Sequence, residues 1–301
     1  MKNFFSDKEL FSFDNDNIKY YNNGKYILSK ILINVDINFA YLMKNNSNIL
    51  MDDSNLKNIK KQLNNTTFPC YLLKNRYNNN YFIANLFYKI NTSQNVYKKN
   101  IDYIHKIENP YSLKCVDNFE DDYFYYVVYE YYDETLEDFI KVYRKNHDTI
   151  PVNFIHKILT QLNVCFKKMV KFNRFHKDIK PENIFIIYLN DEKDNFDIRL
   201  GGFILSIDEE ESNHGSCVLG NDNFKAPEAY KKGNHDKCDL WSVGVLIYYL
   251  YFLKPLRDPF NYKKPADKDL RDLIEKLIVY ESKNRMNWEE YFSHPFFKKY
   301  N

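Results

Sequence analysis

The sequence predicts an α+β protein in which a small antiparallel sheet precedes a mainly helical region. Residues 59–130 alternate apolar and polar side chains between Asn-rich turns, as antiparallel strands do. Strands that cluster before helices are typical of α+β folds, and 301 residues are enough for one large domain or two lobes. A helix is predicted at 152–172, where apolar side chains recur at helical spacing: Ile155, Ile158, Leu159, Leu162, Phe166 and Met169.

Composition and charge restrict the classes of partner. The chain has 43 basic and 41 acidic side chains, so charge favours neither nucleic acid nor a membrane surface, and we expect other proteins as partners. Its five cysteines are odd in number and form no C-x-x-C pair, which is typical of reduced thiols inside the cell. The amino terminus lacks the apolar core of a secretory signal. These features predict a cytoplasmic location, with the nucleus as an alternative.

Residues 1–58 precede the predicted sheet and contain no recognisable motif. Apolar residues at 26–28 and 31–33 are followed by a polar stretch at 44–48. We predict an N-terminal extension of unknown role, followed by one domain at 59–298. Three interpretations stay open: a helical extension packed on the following lobe, a partner-binding arm, or a partly disordered segment.

The stretch at 176–183, His-Lys-Asp-Ile-Lys-Pro-Glu-Asn, carries residues suited to phosphoryl transfer. That reaction uses a carboxylate that accepts the proton of the attacking hydroxyl and a carboxamide that holds a metal, and Asp178 and Asn183 have the required spacing. Lys180 lies between them, where an ammonium can neutralise the transferred group and hold the loop acid. The alternative is a polar turn before the apolar run at 184–187.

This stretch resembles the catalytic loop of serine/threonine protein kinases, His-Arg-Asp-x-Lys-Pro-Glu-Asn, with Lys177 replacing the arginine. The run at 198–204 resembles the family's strand and D-F-G signature, with Gly202 in place of the aspartate and Phe203 retained. That aspartate is the family's main protein ligand for magnesium. The resemblance covers about residues 60–298 and implies a two-lobed protein kinase fold, with the N-lobe at 59–130 and the C-lobe at 133–298.

Three further residues occupy structural positions of the family's C-lobe. Glu228 ends a segment that resembles the G-T-x-x-Y-x-A-P-E motif, and Arg285 lies where the family pairs an arginine with that glutamate. Asp239 begins a D-x-W-S-x-G helix start, whose aspartate holds the catalytic-loop backbone. The acidic run 208–211 is expected to be a solvated loop, and the alternative is that its carboxylates replace an ordering phosphate by pairing with Lys177 or nearby basic residues.

The N-lobe resembles the family by register alone. The run 63–71 fits the phosphate loop L-G-x-G-x-F-G-x-V, but Asn64, Thr66 and Pro69 replace its three glycines. Without a gap, this register extends to the A-x-K strand motif and assigns the remaining nucleotide positions. Tyr71 replaces the valine above adenine, and Ala84 matches the alanine of the A-x-K motif. Leu86 replaces the lysine that grips the phosphates, with Lys89 as the fallback lysine. Asn100, on a helix predicted at 96–107, replaces the glutamate that pairs with this lysine in the family.

The same resemblance assigns the hinge that contacts adenine. Tyr129 takes the gatekeeper position, Glu130 and Tyr131 follow in the hinge, and Phe185 lies at the floor of the pocket. We therefore expect the rings of Tyr71, Tyr129 and Phe185 to fill much of the nucleotide cleft, since aromatic pairs add about 0.5–1.5 kcal/mol beyond their area burial.

The replaced groups determine the predicted function. Removal of one preorganised electrostatic group lowers the rate of an enzyme by about 100- to 1000-fold. The sequence therefore predicts a pseudokinase without cofactor or metal, which acts as a protein-binding or allosteric module for an active kinase or a signalling complex. The alternative is a weakly active serine/threonine kinase that uses ATP and magnesium, with Asp178 as the base.

Overall fold

The computed structural model describes residues 20–21, 25–32, 70–89, 92–122, 124–203, 207–208, 222–230 and 236–299. The chain divides into two compact units, one formed by residues 1–99 and 114–131 and the other by residues 100–113 and 132–301. In the described part of the chain, no helix combines the length and the apolar character needed to cross a membrane.

The first unit contains one antiparallel sheet of six described strands, in the order β1-β2-β3-β4-β6-β5. The turn between β3 and β4 suits its asparagines, because Asn79 adopts a left-handed φ of 60° and the Asn75 side chain accepts the N–H of Tyr77 at 2.8 Å. The strands are β1 (Tyr20–Tyr21), β2 (Tyr26–Leu32), β3 (Cys70–Asn75), β4 (Tyr81–Tyr88), β5 (Cys115–Glu120) and β6 (Phe124–Glu130).

Strand β2 comes from the predicted N-terminal extension. It pairs with β3 from Tyr26 opposite Asn75 to Leu32 opposite Cys70. The helical interpretation is therefore wrong for residues 26–32, and the predicted boundary at residue 58 does not separate them from the sheet. The position beside β3 is taken by this strand, so 37 residues, 33–69, connect two neighbouring strands. Asn64, Thr66 and Pro69 lie in that connection, outside the described residues.

The sheet has two distinct faces, since side chains alternate along each strand. The face that we call the Tyr71 face carries one buried cluster: Tyr26, Tyr71, Leu73, Ala84, Leu86, Phe124, Tyr126 and Val128. The opposite face, called the Tyr125 face, carries Ile83, Asn85, Phe87, Tyr125, Val127 and Tyr129. Helix α1 (Gln94–Ile107) packs on the Tyr125 face, because Tyr97 stacks on Tyr125 with ring centroids 4.2 Å apart.

The second unit is mainly helical and confirms the predicted apolar stripe. Residues 155, 158, 159, 162, 166 and 169 are all buried on α3. Polar residues define where several helices begin, with Thr135 capping α2, Asp267 capping α5 and a reciprocal pair of Asn287 and Glu290 capping α6. The helices are α2 (Leu136–Tyr143), α3 (Val152–Lys171), α4 (Cys238–Phe252), α5 (Lys268–Leu277) and α6 (Trp288–Phe292).

Short strands of the second unit position the predicted catalytic loop. Strand β9 pairs with β10 from Ile184 opposite Leu200 to Tyr188 opposite Phe196, and β7 joins its other side. Strand β11 pairs with β8, which places Asp208 opposite Arg174. Residues 209–211 of the acidic run lie outside the described residues, so their pairing with Lys177 stays a prediction. The strands are β7 (Glu134–Thr135), β8 (Arg174–Phe175), β9 (Ile184–Tyr188), β10 (Phe196–Leu200) and β11 (Ile207–Asp208).

Candidate functional site

The loop between β8 and β9 brings the three predicted catalytic side chains into contact. Lys180 Nζ lies 2.8 Å from Asp178 Oδ2, and both side chains are nearly buried, with 11% and 10% exposed. Asn183 Nδ2 donates to the Asp178 carboxylate and to the Asp178 carbonyl, each at 2.8 Å. The loop therefore holds a carboxylate between an ammonium and a carboxamide.

Asp239, in the first turn of α4, holds the backbone of this loop. Its two carboxylate oxygens accept the N–H groups of His176 at 2.6 Å and Lys177 at 2.8 Å. Lys177 has a left-handed φ of 62°, which side-chain-bearing residues seldom adopt, so these bonds stabilise a strained turn. Complete burial raises the pKa of the Asp239 carboxyl, and the two N–H groups partly offset that rise by stabilising its charge.

His176 connects the catalytic loop to the segment after β10. Its Nε2 lies 2.7 Å from the carbonyl oxygen of Gly201, which can only accept, so Nε2 carries the proton. Its Nδ1 then accepts the N–H of Asp178 at 3.3 Å. Burial lowers the pKa of His176, which favours this neutral form. The ring also contacts Phe203, with centroids 5.1 Å apart.

The depressed pKa of His176 predicts a loss of stability in mild acid. The unfolded chain takes up a proton near pH 6.5, whereas the folded chain resists it to lower pH. The contribution of His176 to stability is therefore complete above about pH 6.5 and falls as the pH decreases below that value. Imidazole nitrogen NMR of the folded protein should show a neutral Nε2–H ring for His176 at a pH at which the unfolded chain is already protonated, with the signal assigned by His176→Asn. A His176 ring that becomes cationic at or above pH 6.5 in the folded protein would contradict this expectation.

Gly202 replaces the family's aspartate and leaves a space that Asn183 occupies. Its φ is +81°, and a Cβ added there would lie 2.7 Å from both Cγ and Nδ2 of Asn183. The Asn183 backbone is fixed in turn, because its carbonyl accepts the N–H of Gly201 at 2.9 Å. The carboxamide that the family uses to hold a metal is thus packed against Gly202 and bonded to Asp178.

We expect Gly202→Ala to lower the free energy of unfolding by about 2–3 kcal/mol. The left-handed backbone accounts for about 1–2 kcal/mol, and overpacking against Asn183 accounts for the remainder. In an Asn183→Ala background only the backbone part should remain. Urea unfolding measures the loss of stability caused by Gly202→Ala in the parent protein and in Asn183→Ala. An equal loss in both backgrounds would show that the contact between Gly202 and Asn183 does not contribute.

The N-lobe assignments of Leu86, Ala84 and Tyr71 do not fit the sheet. All three lie on the Tyr71 face, whereas α1 packs on the opposite face through Tyr97. The family's lysine pairs with a glutamate on this helix, so it must project from the helix side of the sheet. On β4 that side carries Asn85, which pairs with Val127. Leu86 therefore lies on the side of the sheet opposite the helix, contrary to the predicted register, since a slip by an odd number of residues exchanges the two faces.

The same exchange contradicts the aromatic filling of the nucleotide cleft. Tyr71 lies opposite Ala84 on one face, and Tyr129 lies opposite Ile83 on the other. Their rings therefore cannot fill one cavity together. Phe185 instead contacts Tyr132, with centroids 4.2 Å apart, and covers Gly201 so closely that an added Cβ would lie 2.6 Å from Phe185 Cε2.

The remaining predicted positions are placed as follows. Asn100 is buried on α1, one turn beyond Tyr97. Glu130 accepts the N–H of Lys114 at 3.1 Å at the end of β6, and Tyr131 is 41% exposed. Lys89, the fallback lysine, pairs with Glu120 at 2.7 Å and lies over the Tyr125 ring, so its ammonium is already engaged.

Glu228 and Arg285 form an ion pair in the second unit, with the arginine fully buried. The two guanidinium nitrogens donate to the two carboxylate oxygens at 2.6 and 3.1 Å, and the Arg285 side chain is 0% exposed. Arg285 also donates to the carbonyls of Val279 and Lys237. Burial alone would raise the pKa of Glu228, but the bonds and charge of Arg285 outweigh it and hold that pKa below its ordinary value.

Two features of the site escaped prediction from the sequence. The residue types of His176 and Asn183 were visible, but the bonds that they form depend on how the backbone folds around Gly201 and Gly202. A glycine in a motif position signals a missing side chain. It does not indicate which neighbour occupies the space.

This anchored loop and the antiparallel sheet with its packed helix define a protein of the kinase class. A family model described as protein kinase domain matches residues 69–297, which is most of the sequence, and the chain belongs to this family. The α+β protein kinase fold predicted from the sequence is thereby confirmed.

Several serine/threonine kinases are similar to the chain. A probable serine/threonine-protein kinase of Dictyostelium discoideum is 33% identical over 48% of this chain and 15% of its own length. Calcium-dependent protein kinase 4 of Plasmodium falciparum is 29% identical over 62% of the chain and 38% of its own length. An Aurora kinase of Candida glabrata is 26% identical over 67% of the chain and 58% of its own length. The matches therefore span between 15% and 58% of these relatives.

The family implies ATP and magnesium, and the residues at the loop provide only part of a magnesium site. Gly202 has no side chain to offer, whereas Asn183 uses its Nδ2 to bond Asp178 and keeps its carboxamide oxygen, the only atom of that side chain that could bind a metal. Among the residues that the structure describes, no three His, Cys, Asp or Glu side chains group in a way that could hold a metal ion. The aspartate whose carboxylate bridges magnesium to the nucleotide phosphates in the family is replaced by Gly202 in this chain.

Proposed function

We propose that this chain is a catalytically impaired member of the protein kinase family, a pseudokinase that acts by binding other proteins. The observation that carries the proposal is the contact between Gly202 and Asn183. The magnesium ligand is missing, and the second metal-holding residue packs into the space that its Cβ would occupy. Of the two protein groups that would hold the metal, one is therefore missing and the other is packed against the glycine that replaces it.

The sheet of the first unit supports the same proposal. The side of β4 that faces α1 presents Ile83, Asn85 and Phe87, none of which is cationic. The nearby Lys89 is engaged with Glu120 at the far end of the strand. A phosphate group would lack the ammonium that grips it in active kinases.

One observation favours the alternative of a weakly active serine/threonine kinase. Asp178, Lys180 and Asn183 are assembled within hydrogen-bonding distance, as a site would require in which the aspartate accepts a hydroxyl proton. Lys180 beside that carboxylate would also neutralise charge on a transferred group. A phosphotransfer assay separates the two functions.

We expect no measurable magnesium-dependent phosphate transfer from labelled ATP to generic serine/threonine substrates. Loss of the metal ligand and of the gripping lysine each lowers the rate by about 100- to 1000-fold. The control is Asp178→Asn, which removes the candidate base. Incorporation that needs magnesium and disappears in Asp178→Asn would establish the alternative.

Ligand binding is tested separately from transfer. The midpoint of thermal unfolding is measured with ATP, with and without magnesium, and with adenosine. A ligand that binds the folded protein at 100 times its Kd stabilises it by about 2.7 kcal/mol and so raises the midpoint. For an impaired site we expect no rise with any of these ligands. A magnesium-dependent rise with ATP would indicate retained phosphate binding. A rise with adenosine alone would indicate an inactive domain that holds nucleotide as a structural ligand.

A further inference from the structure

The segment between α4 and α5 forms a surface whose charge is not balanced within the described chain. Residues 253–267 contain no helix or strand and enclose a cavity of about 300 Å³. Three cationic residues line this cavity, Lys254, Arg257 and Lys263, and all three are exposed. Within the described residues none of them forms an ion pair.

One acidic residue, Asp258, also lines the cavity and offsets one of the three positive charges. Asp258 accepts the N–H of Phe260 at 2.8 Å and so serves the local turn. The neighbouring Lys264 differs from the lining cations, because it pairs with Glu275 at 3.0 Å. We call the surface formed by Lys254, Arg257 and Lys263 the basic groove.

Exposed aromatic rings lie beside the basic groove. Phe260 is 75% exposed and contacts Tyr280, itself 42% exposed, with centroids 5.2 Å apart. Inside the groove, Tyr262 packs edge-on against Tyr248 of α4 with centroids 5.6 Å apart, which fixes the wall of the cavity. Exposed apolar groups rimmed by charge are typical of protein-binding surfaces.

The backbone of this segment is constrained before any partner binds. Leu253 ends α4 in a left-handed conformation with φ of 54°, and prolines at 255, 259 and 265 restrict the chain that follows. A preorganised loop loses less conformational freedom on binding than a free one, so more of the interaction energy becomes affinity.

We propose that the basic groove binds an acidic peptide segment of a partner protein, in which carboxylates lie next to an apolar side chain. The carboxylates pair with Lys254, Arg257 and Lys263, and the apolar side chain packs on Phe260. Charge complementarity selects this partner, because three cations and one carboxylate line the cavity, and none of the three cations forms an ion pair among the described residues, although the Lys263 ammonium lies over the Phe252 ring. The inference rests on the proposed protein-binding function and identifies the chemistry of the partner.

The probe is a fluorescein-labelled peptide, Gly-Glu-Glu-Leu-Glu-Glu-Leu-Gly, measured by anisotropy with the full chain. The matched peptide with glutamine in place of every glutamate tests the charge. We expect saturable binding of the acidic peptide that weakens with added salt, and about tenfold weaker binding of the glutamine peptide. No saturable binding, or equal binding of both peptides, would overturn the proposal.

Two sets of variants locate the site. Lys254→Gln, Arg257→Gln and Lys263→Gln together should weaken the acidic peptide about tenfold or more. Lys98→Gln, Lys106→Gln and Lys145→Gln make the same charge change at exposed positions elsewhere and should have an effect below about twofold. Equal weakening by both sets would show non-specific attraction and overturn the proposal.

Phe260→Ala tests the apolar contact. It should weaken binding of the acidic peptide several-fold while the melting temperature of the protein stays unchanged, and unchanged binding would remove the apolar contact from the proposal.

A membrane is the competing partner of a basic surface with exposed rings. Sedimentation with phosphatidylserine vesicles tests it, and vesicle binding that depends on the three groove cations without peptide binding would overturn the proposal. These outcomes do not depend on catalysis. Phosphate transfer in the kinase assay would reject the proposed function while leaving peptide binding as a separate result.

Discussion

Replacing Asp239 with alanine is expected to lower the free energy of unfolding by about 3–5 kcal/mol. The substitution leaves the N–H groups of His176 and Lys177 without their acceptor in a buried place, and each such group costs about 1–3 kcal/mol. It also releases the left-handed turn at Lys177, since the bonds that hold it are lost. Urea unfolding at pH 7 measures the change.

The exposed Asp148 provides the matched control for this substitution. Asp148→Ala should change stability by less than about 0.5 kcal/mol, because it removes the same group from the surface. Hydrogen exchange supplies a local measurement, in which the amides of His176 and Lys177 exchange faster in Asp239→Ala. A loss below about 1 kcal/mol with unchanged exchange would show that the loop does not depend on Asp239.

Glu228→Ala is expected to destabilise the protein by a similar amount, about 3–5 kcal/mol. Its partner Arg285 is 0% exposed, so the substitution leaves a guanidinium in the interior without a counter-charge. The two carbonyls of Val279 and Lys237 still accept its N–H groups, but they cannot neutralise the charge. The measurement is again urea unfolding at neutral pH.

The exposed pair of Lys264 and Glu275 tests whether burial is the cause. Both side chains are more than 40% exposed, so Glu275→Ala should lower stability by at most about 1 kcal/mol. Double replacement of Glu228 by Ala and Arg285 by Leu should lose less than the sum of the single changes, because it removes the buried charge together with its partner. Additive losses would show that the two residues act independently.

The pH dependence of the Glu228 contribution follows from its depressed pKa. The stabilisation is complete above the ordinary glutamate value of 4.5 and is lost as the pH falls through the lower folded value. The difference in stability between the parent protein and Glu228→Ala should therefore shrink below about pH 4.5.

The catalytic-loop motif and the long helices could be predicted because their signals are local. The spacing of Asp178 and Asn183 and the apolar stripe of α3 are visible in a short window of sequence. Strand β2 was missed because its local partner β1 has only two residues, and 37 residues separate β2 from β3, with which it forms its long pairing. A pairing over such a separation leaves no trace in the spacing of either segment.

The faces of the sheet could not be predicted for a different reason. A strand has a period of two, so its pattern identifies a face only when one side is apolar and the other polar. Here Tyr71, Leu73, Ala84 and Leu86 are buried on one face, and Ile83, Phe87 and Tyr129 are buried on the other. With apolar side chains on both sides, the apolar pattern of the strands could not identify which face meets the helix.

The contact between Asn183 and Gly202 makes a change from this glycine to the family's aspartate difficult in a single step. The single substitution Gly202→Asp would place its Cβ 2.7 Å from the Asn183 carboxamide, which must then rotate and give up its bonds to Asp178. A protein with this single change would carry a strained loop. The family's aspartate can therefore be accommodated at position 202 only together with a second change that moves or shortens the side chain of residue 183.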